Sequence, residues 1–171
     1  MTNKHWITVI SAFSCYFFSS HAAAQDLLSQ KVLPLELSTQ AATAAIKKCH
    51  DDGFKVSVAI VDQSGLLKVQ LKADGAGPHT LDSSRRKAYT ANSLRDSTHK
   101  YAVLIAQKPE LQSLARLNEN ILLLGGGFPI KIGGEVVGGI GVGGAPGIEF
   151  DEVCASAALK VLKADETYEK K

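Results

Sequence analysis

The sequence predicts an α+β domain: a five-stranded antiparallel sheet with its helices kept away from the wet face. Three observations carry this reading. Two β-prone runs, 128–132 and 135–142, flank Gly133 and Gly134, and a type I′ hairpin turn needs positive φ at both central positions. Val56, Val58 and Ile60 alternate along 55–62, and Leu67, Val69 and Leu71 alternate against Lys68, Gln70 and Lys72. That is an antiparallel pair whose second strand has one wet face. Phe150, Cys154, Ala157, Ala158 and Val161 recur at helical spacing near the end of the chain, a core-facing stripe. The length of 171 residues, with 45% hydrophobic and 21% charged side chains, suits one domain with a real core.

In chain order, residues 1–24 read as a secretory signal. Lys4 and His5 precede an apolar run over 6–18, and Ala22, Ala23 and Ala24 end it, so cleavage after Ala24 is expected. The run is too short to span a bilayer as a helix, and no stable membrane insertion is expected after its removal. Residues 25–36 form a leader, 37–165 the domain, and 166–171 a charged tail. Ser38 caps a helix running to about Asp52, with Ala42, Ile46 and Cys49 on its apolar side and Gly53 as its stop. After the hairpin over 55–72, a Gly- and Pro-bearing loop leads into a helical stretch over 80–107. It holds two helices parted near Asp96 and Ser97, and Lys108-Pro109 breaks it. A helical turn over 111–117 leads to a strand at 121–124, then to the glycine hairpin, and then to a helix over 150–163.

The segment 122–147 holds 11 of the 15 glycines. Gly138, Gly139 and Gly141 interrupt the strand over 135–142. Glycines inside a strand mark a bulge or a close approach to the backbone. Either one face lies open to a ligand, or a helix packs tightly upon it. Cys49 and Cys154 remain after the signal. Export permits a disulfide between them, but both sit on apolar sides of predicted helices. There a buried thiol acts as a small hydrophobe, and that is the expectation.

The chemical inventory is short. The sequence has no G-x-S-x-G, H-E-x-x-H or P-loop. In GGGFPIKIGG a strand follows the glycines, where a dinucleotide fingerprint needs a helix. A net charge of +2 without a basic block argues against a nucleic-acid partner. Asp82, Arg85 and Arg86 form a local charged face on a helix. His50 ends the first helix, where a cation suits the dipole, and His99 lies within a later one. His79 differs, because it stands in a Gly-Pro loop just before a helix, where it can be plain surface or reach a ligand.

From about Leu37 to Leu162 the chain resembles the GlcG/HbpS-like haem-binding family. The resemblance rests on VSVAIVDQSG, then DGAGPHTLDSSRRKAYTA, then LLLGGGFPIKIGGEVVGGIGVGGAPG followed by Asp151 and Glu152. The second element is most similar to the secreted haem-binding branch. The resemblance implies a profilin-like fold, homo-oligomers, and haem held at the surface in an exported or periplasmic protein. It further implies storage, buffering or redox sensing of haem, and its degradation under oxidative conditions. In that branch a threonine of the KA(F/Y)TA helix holds the iron, here Thr90. His79 at the start of the same region is a competing ligand. Arg85, Arg86 and Lys87 are suited to the haem carboxylates, Tyr89 to stacking on the ring or its edge, and 138–144 to a flat side-chain-free floor. The other reading is an enzyme or accessory protein binding a small organic acid in glycolate- or diol-type metabolism, with the glycines and Arg86 around the carboxylate. A subunit that only assembles, with its glycine face as the contact, is a third.

Overall fold

The computed structural model describes residues 29–165, so the expected signal over 1–24 and the tail over 166–171 lie outside the described residues. All regular elements fall in the unit that begins at Lys31. In order they are α1 (Leu35–Asp51), β1 (Ser57–Asp62), β2 (Leu67–Lys72), α2 (His79–Leu94), α3 (Thr98–Gln107), a 3-10 helix (Pro109–Arg116), β3 (Gly127–Ile132), β4 (Glu135–Gly143) and α4 (Ile148–Val161). The class is α+β, with an antiparallel sheet flanked by helices.

The sheet has four strands, in the order β2-β1-β4-β3, all paired antiparallel. The fifth strand expected over 121–124 does not form. Its backbone bonds to helix side chains instead: the Leu122 N–H donates to Thr90 Oγ1 at 2.8 Å, and Thr98 Oγ1 donates to the Leu124 carbonyl at 2.7 Å. The Gly133-Gly134 turn forms as read, with φ of 62° and 80°, and Asp165 accepts both turn amides.

Helices cover both faces of the sheet, which corrects the expectation of a sheet with one wet face. Val58, Ile60, Ile140 and Val142 point to the side packed by α1 and α4, through Ala41, Ala42, Ala45, Ala155 and Ala158. Ala59 and Val61 point the other way, onto Ala88 of α2. The glycines decide this second layer. A Cβ on Gly139 would lie 2.2 Å from the Ala88 carbonyl oxygen, and one on Gly141 would lie 2.1 Å from that of Ser84. The strand is bare because a helix backbone rests on it, so 138–144 is no open floor for a flat ligand.

Two local expectations also change. Pro34, with φ −63°, starts α1 ahead of Ser38, so two residues assigned to the leader belong to the helix. Ser38 is then buried in the first turn, where its hydroxyl donates to the Pro34 carbonyl at 2.8 Å. In α4 the buried side chains are Asp151, Cys154, Ala155, Ala158 and Leu159, and Phe150 is partly exposed. Cys49 and Cys154 are not free thiols. They form a disulfide that ties α1 to α4 across 105 residues of sequence. Both helices turn their small residues inward, which brings the backbones close enough for the bridge.

Candidate functional site

α2 divides its residues by helical period. Ser84, Lys87, Ala88 and Ala91 recur at i, i+3, i+4 and i+7 and are buried, facing the sheet. Asp82, Arg85, Arg86 and Tyr89 share the opposite, wetter side, with Thr90 at its inner edge. Pro78 precedes the helix, and Arg95 in the left-handed region (φ 60°) ends it.

Four of the six residues singled out from sequence converge on one neighbour, the chain over 118–122. Arg85 Nη1 donates to Asn120 Oδ1 at 2.8 Å, and Arg86 Nη2 to the Ile121 carbonyl at 2.7 Å. Asn118 Nδ2 donates to the Tyr89 hydroxyl at 3.2 Å. Thr90 Oγ1 accepts the Leu122 amide and points its own proton to the Asn120 carbonyl at 3.5 Å. Thr90 is 0% exposed. Asp82 is the carboxylate partner of both arginines, at 3.1 and 3.5 Å, so two guanidinium groups share one acid. Arg86 Nε is buried and has no hydrogen-bond acceptor.

The other two residues stand apart. Lys87 is 2% exposed. Its ammonium donates to Asp151 Oδ2 at 2.8 Å and to the Val142 carbonyl at 2.9 Å. Burial holds the Asp151 carboxyl above the usual carboxylate range despite that partner, while the Ala145 amide bonds its other oxygen. Lys87 therefore clamps α2 to β4 and α4 and does not reach the surface as a rim cation. His79 is exposed at the first position of α2. Eleven residues separate it from Thr90, about 16 Å along the axis at 1.5 Å per residue. The two therefore cannot ligate one iron on the same side of a ring.

Sequence reasoning missed the chain over 118–122 as part of this site. Its signal was the turn-prone Asn118-Glu119-Asn120, where the Asn120 amide donates to Asn118 Oδ1 at 2.8 Å. It also missed a second cluster beside the glycine turn over 125–127. A Cβ on Gly125 would lie 3.2 Å from Glu152 Oε1, and one on Gly126 would lie 2.7 Å from the Asp151 side chain. Glu152 Oε1 and His99 Nδ1 are both buried without a hydrogen-bond partner. Burial raises the Glu152 carboxyl, opposed by His99 and by the Gly126 amide. Among the described residues no group of three or more His, Cys, Asp or Glu side chains is placed to hold a metal ion. Two shallow depressions, on the outer side of α1 and over 105–116, include none of the α2 residues. No described helix is long and apolar enough to cross a membrane.

For haem the donor set fits in part. Two guanidinium groups and a half-buried phenol suit carboxylates and a ring edge. The hydroxyl at Thr90 is already bonded, and the glycine floor is covered.

Comparison with known proteins gives this arrangement its family. Residues 33–160 match the model of the family described as haem degrading protein HbpS-like. A crystallised double mutant of HbpS from Streptomyces reticuli is 42% identical, with TM-score 0.76, covering 82% of this chain and 94% of that one. The structure of a PduOC–haem complex is 25% identical, with TM-score 0.73, over 79% of this chain and 98% of that one. An uncharacterized 15.0 kDa protein of the dhaT-dhaS intergenic region of Citrobacter freundii is 31% identical over 134 residues, 77% of this chain and 94% of its own length. With its two glycine turns, its α2 packed on bare strand and the family match running through both, the chain belongs to the HbpS-like family.

Proposed function

We propose that this protein binds haem on the outer face of α2, in the periplasm or outside the cell, and stores, buffers or senses it there, with degradation of the ring under oxidative conditions. One observation carries the reading: Arg85, Arg86, Tyr89 and Thr90 line a single stripe, and Arg86 still has a buried donor to spend. The similarity to HbpS and to a protein crystallised with haem supports it. Arg85 and Arg86 would hold the carboxylates, and Tyr89 would lie against the ring. When bound, haem supplies an iron centre for ligand exchange and redox chemistry, and the protein sets its orientation and access to water.

The test is titration of the protein with haemin, followed by the Soret band. Wild type should bind with a shifted band. His79→Ala and Thr90→Ala separate two rival candidates for the iron ligand: the variant that loses the ligand should bind about tenfold more weakly, one decade being about 1.4 kcal/mol, and the other should not. His50→Ala should change little. No spectral change at any ratio, in wild type or in variants that uncover the α2 face, would defeat the reading.

A second reading is a small organic acid of glycolate- or diol-type metabolism in the same place. The observation that favours it is the pair of guanidinium groups that share one carboxylate, Asp82, among the described residues. Such an acid would raise the melting temperature without any Soret signal.

Two further parts of the proposal are export and assembly. Protein recovered from its host should begin at Gln25. Val103, Leu117 and Leu124 leave large apolar surface exposed along α3 and the chain after it, which suits contact with further copies. Light scattering should give a multiple of the monomer mass.

A further inference from the structure

We infer that residues 118–124 form a strap that closes the α2 face, and that haem reaches Thr90 only when the strap lifts. The inference rests on the haem reading above and adds how that site is regulated. Its ground is the conflict between the assigned ligand and the geometry. Thr90 has no exposed surface, and its oxygen already accepts the Leu122 amide at 2.8 Å. Iron cannot approach that oxygen while the amide is there. The same segment also occupies Arg85 through Asn120, Arg86 through the Ile121 carbonyl, and Tyr89 through Asn118. Each of the four side chains on this stripe thus has at least one hydrogen bond to the same short piece of chain.

The strap is built to come away. Its bonds to α2 are polar ones that water and ligand carboxylates can replace. Ile121 is its buried apolar anchor, while Leu117 and Leu124 stay largely exposed. The 3-10 helix that leads into it buries no residue. Its far end is pinned, because Thr98 Oγ1 donates to the Leu124 carbonyl and accepts the Gly127 amide at 2.9 Å. Lifting therefore means a hinge near Leu124, with the stretch between it and the 3-10 helix moving away from α2. Segments that move are drawn from those with little buried apolar surface. A ligand that binds only the open form has its apparent affinity reduced by the fraction open. Weakening the closed form therefore raises affinity, the opposite of what loss of a ligand contact does.

The experiment compares wild type with Asn120→Ala and Asn118→Ala/Asn120→Ala in stopped-flow haemin binding. Hydrogen exchange at the Leu122 amide is measured before and after haem saturation. Asn120→Ala removes an acceptor of a charged donor, so haemin should bind roughly tenfold faster and tighter, and the double variant more so. Saturating haem should strip protection from the Leu122 amide. Binding to the variants when wild type binds none also supports the strap. Wild-type binding with unchanged rates in both variants, or with the Leu122 amide still protected, overturns the strap and leaves haem binding intact. No binding by any of the three proteins overturns the haem reading and the strap together.

Discussion

Replacing Gly141 by alanine separates the two meanings that glycine had in the sequence. If β4 is bare to receive a ligand, a methyl group there weakens binding and spares stability. If it is bare because α2 rests on it, the methyl group attacks the fold. In the structure the added Cβ would lie 2.1 Å from the Ser84 carbonyl oxygen, 2.5 Å from the Ala88 nitrogen and 2.9 Å from Lys87 Cβ. Ordinary contact begins at 3.4 Å, so α2 must retreat by more than about 1 Å, and backbone atoms cannot swing aside as a side-chain tip can. That retreat also loosens Ala88 from Ala59 and Val61. Overpacking of this kind costs about 2–3 kcal/mol. For a domain of this size the melting temperature should fall by about 6–12 °C. Gly77→Ala is the control: the nearest atoms to its Cβ would be those of the ring of exposed His79, at 2.8 Å, a side chain that can swing aside, and stability should stay within about 0.5 kcal/mol. Urea unfolding followed by circular dichroism reads both. A Gly141→Ala protein as stable as wild type, yet impaired in ligand binding, would refute the packing argument and restore the open floor.

Other outcomes follow from the buried groups. Lys87→Met leaves Asp151 buried with the Ala145 amide in place but without its ammonium, and should cost about 3–5 kcal/mol. Lys87→Met/Asp151→Leu should recover much of that loss, and equal stability of Lys87→Met and wild type would mean that the pair does not exist. Reducing the Cys49–Cys154 bridge, which closes 105 residues, should lower stability by about 2–5 kcal/mol. Thiol titration of the unreduced, denatured protein should find neither of these two cysteines free. Glu152→Gln tests the raised carboxyl beside Gly126. A carboxyl raised in the folded state binds its proton more tightly there than in the unfolded chain, so wild type loses stability as pH rises through that raised value. The variant should therefore gain on wild type at neutral pH, and the gain should vanish below the ordinary glutamate range. A gain that grows toward acid would reverse the assignment.

Much of the fold was legible because it depends on short-range pattern. Gly133-Gly134 between β-prone runs forms the β3–β4 hairpin, and the alternation over 55–72 forms β1 and β2. The break at Asp96 and Ser97 separates α2 from α3, with the Ser97 hydroxyl accepting the Lys100 amide. Each of these is decided within a few residues by φ preference, alternation or capping. The cluster RRKAY could be found by its likeness to relatives, and its wet side does gather Arg85, Arg86 and Tyr89.

What the sequence by itself determined, then, was most of the local structure: the main helices, the four strands that pair, and the turns between them. Only the tertiary structure decided what each element faces. Gly139 and Gly141 look the same in sequence whether a ligand or a helix approaches, and the helix came. Lys87 reads as one more surface cation until the period of α2 turns it toward Asp151, 64 residues away. Residues 121–124 have a strand's composition, but their amide and carbonyl partners lie on α2 and α3, so no fifth strand forms. Cys49 and Cys154 could have been buried thiols until α1 and α4 packed side by side with their Cα atoms 5.5 Å apart. These are contacts between distant parts of the chain. They turn on how closely distant surfaces fit one another, and that is not written in local periodicity.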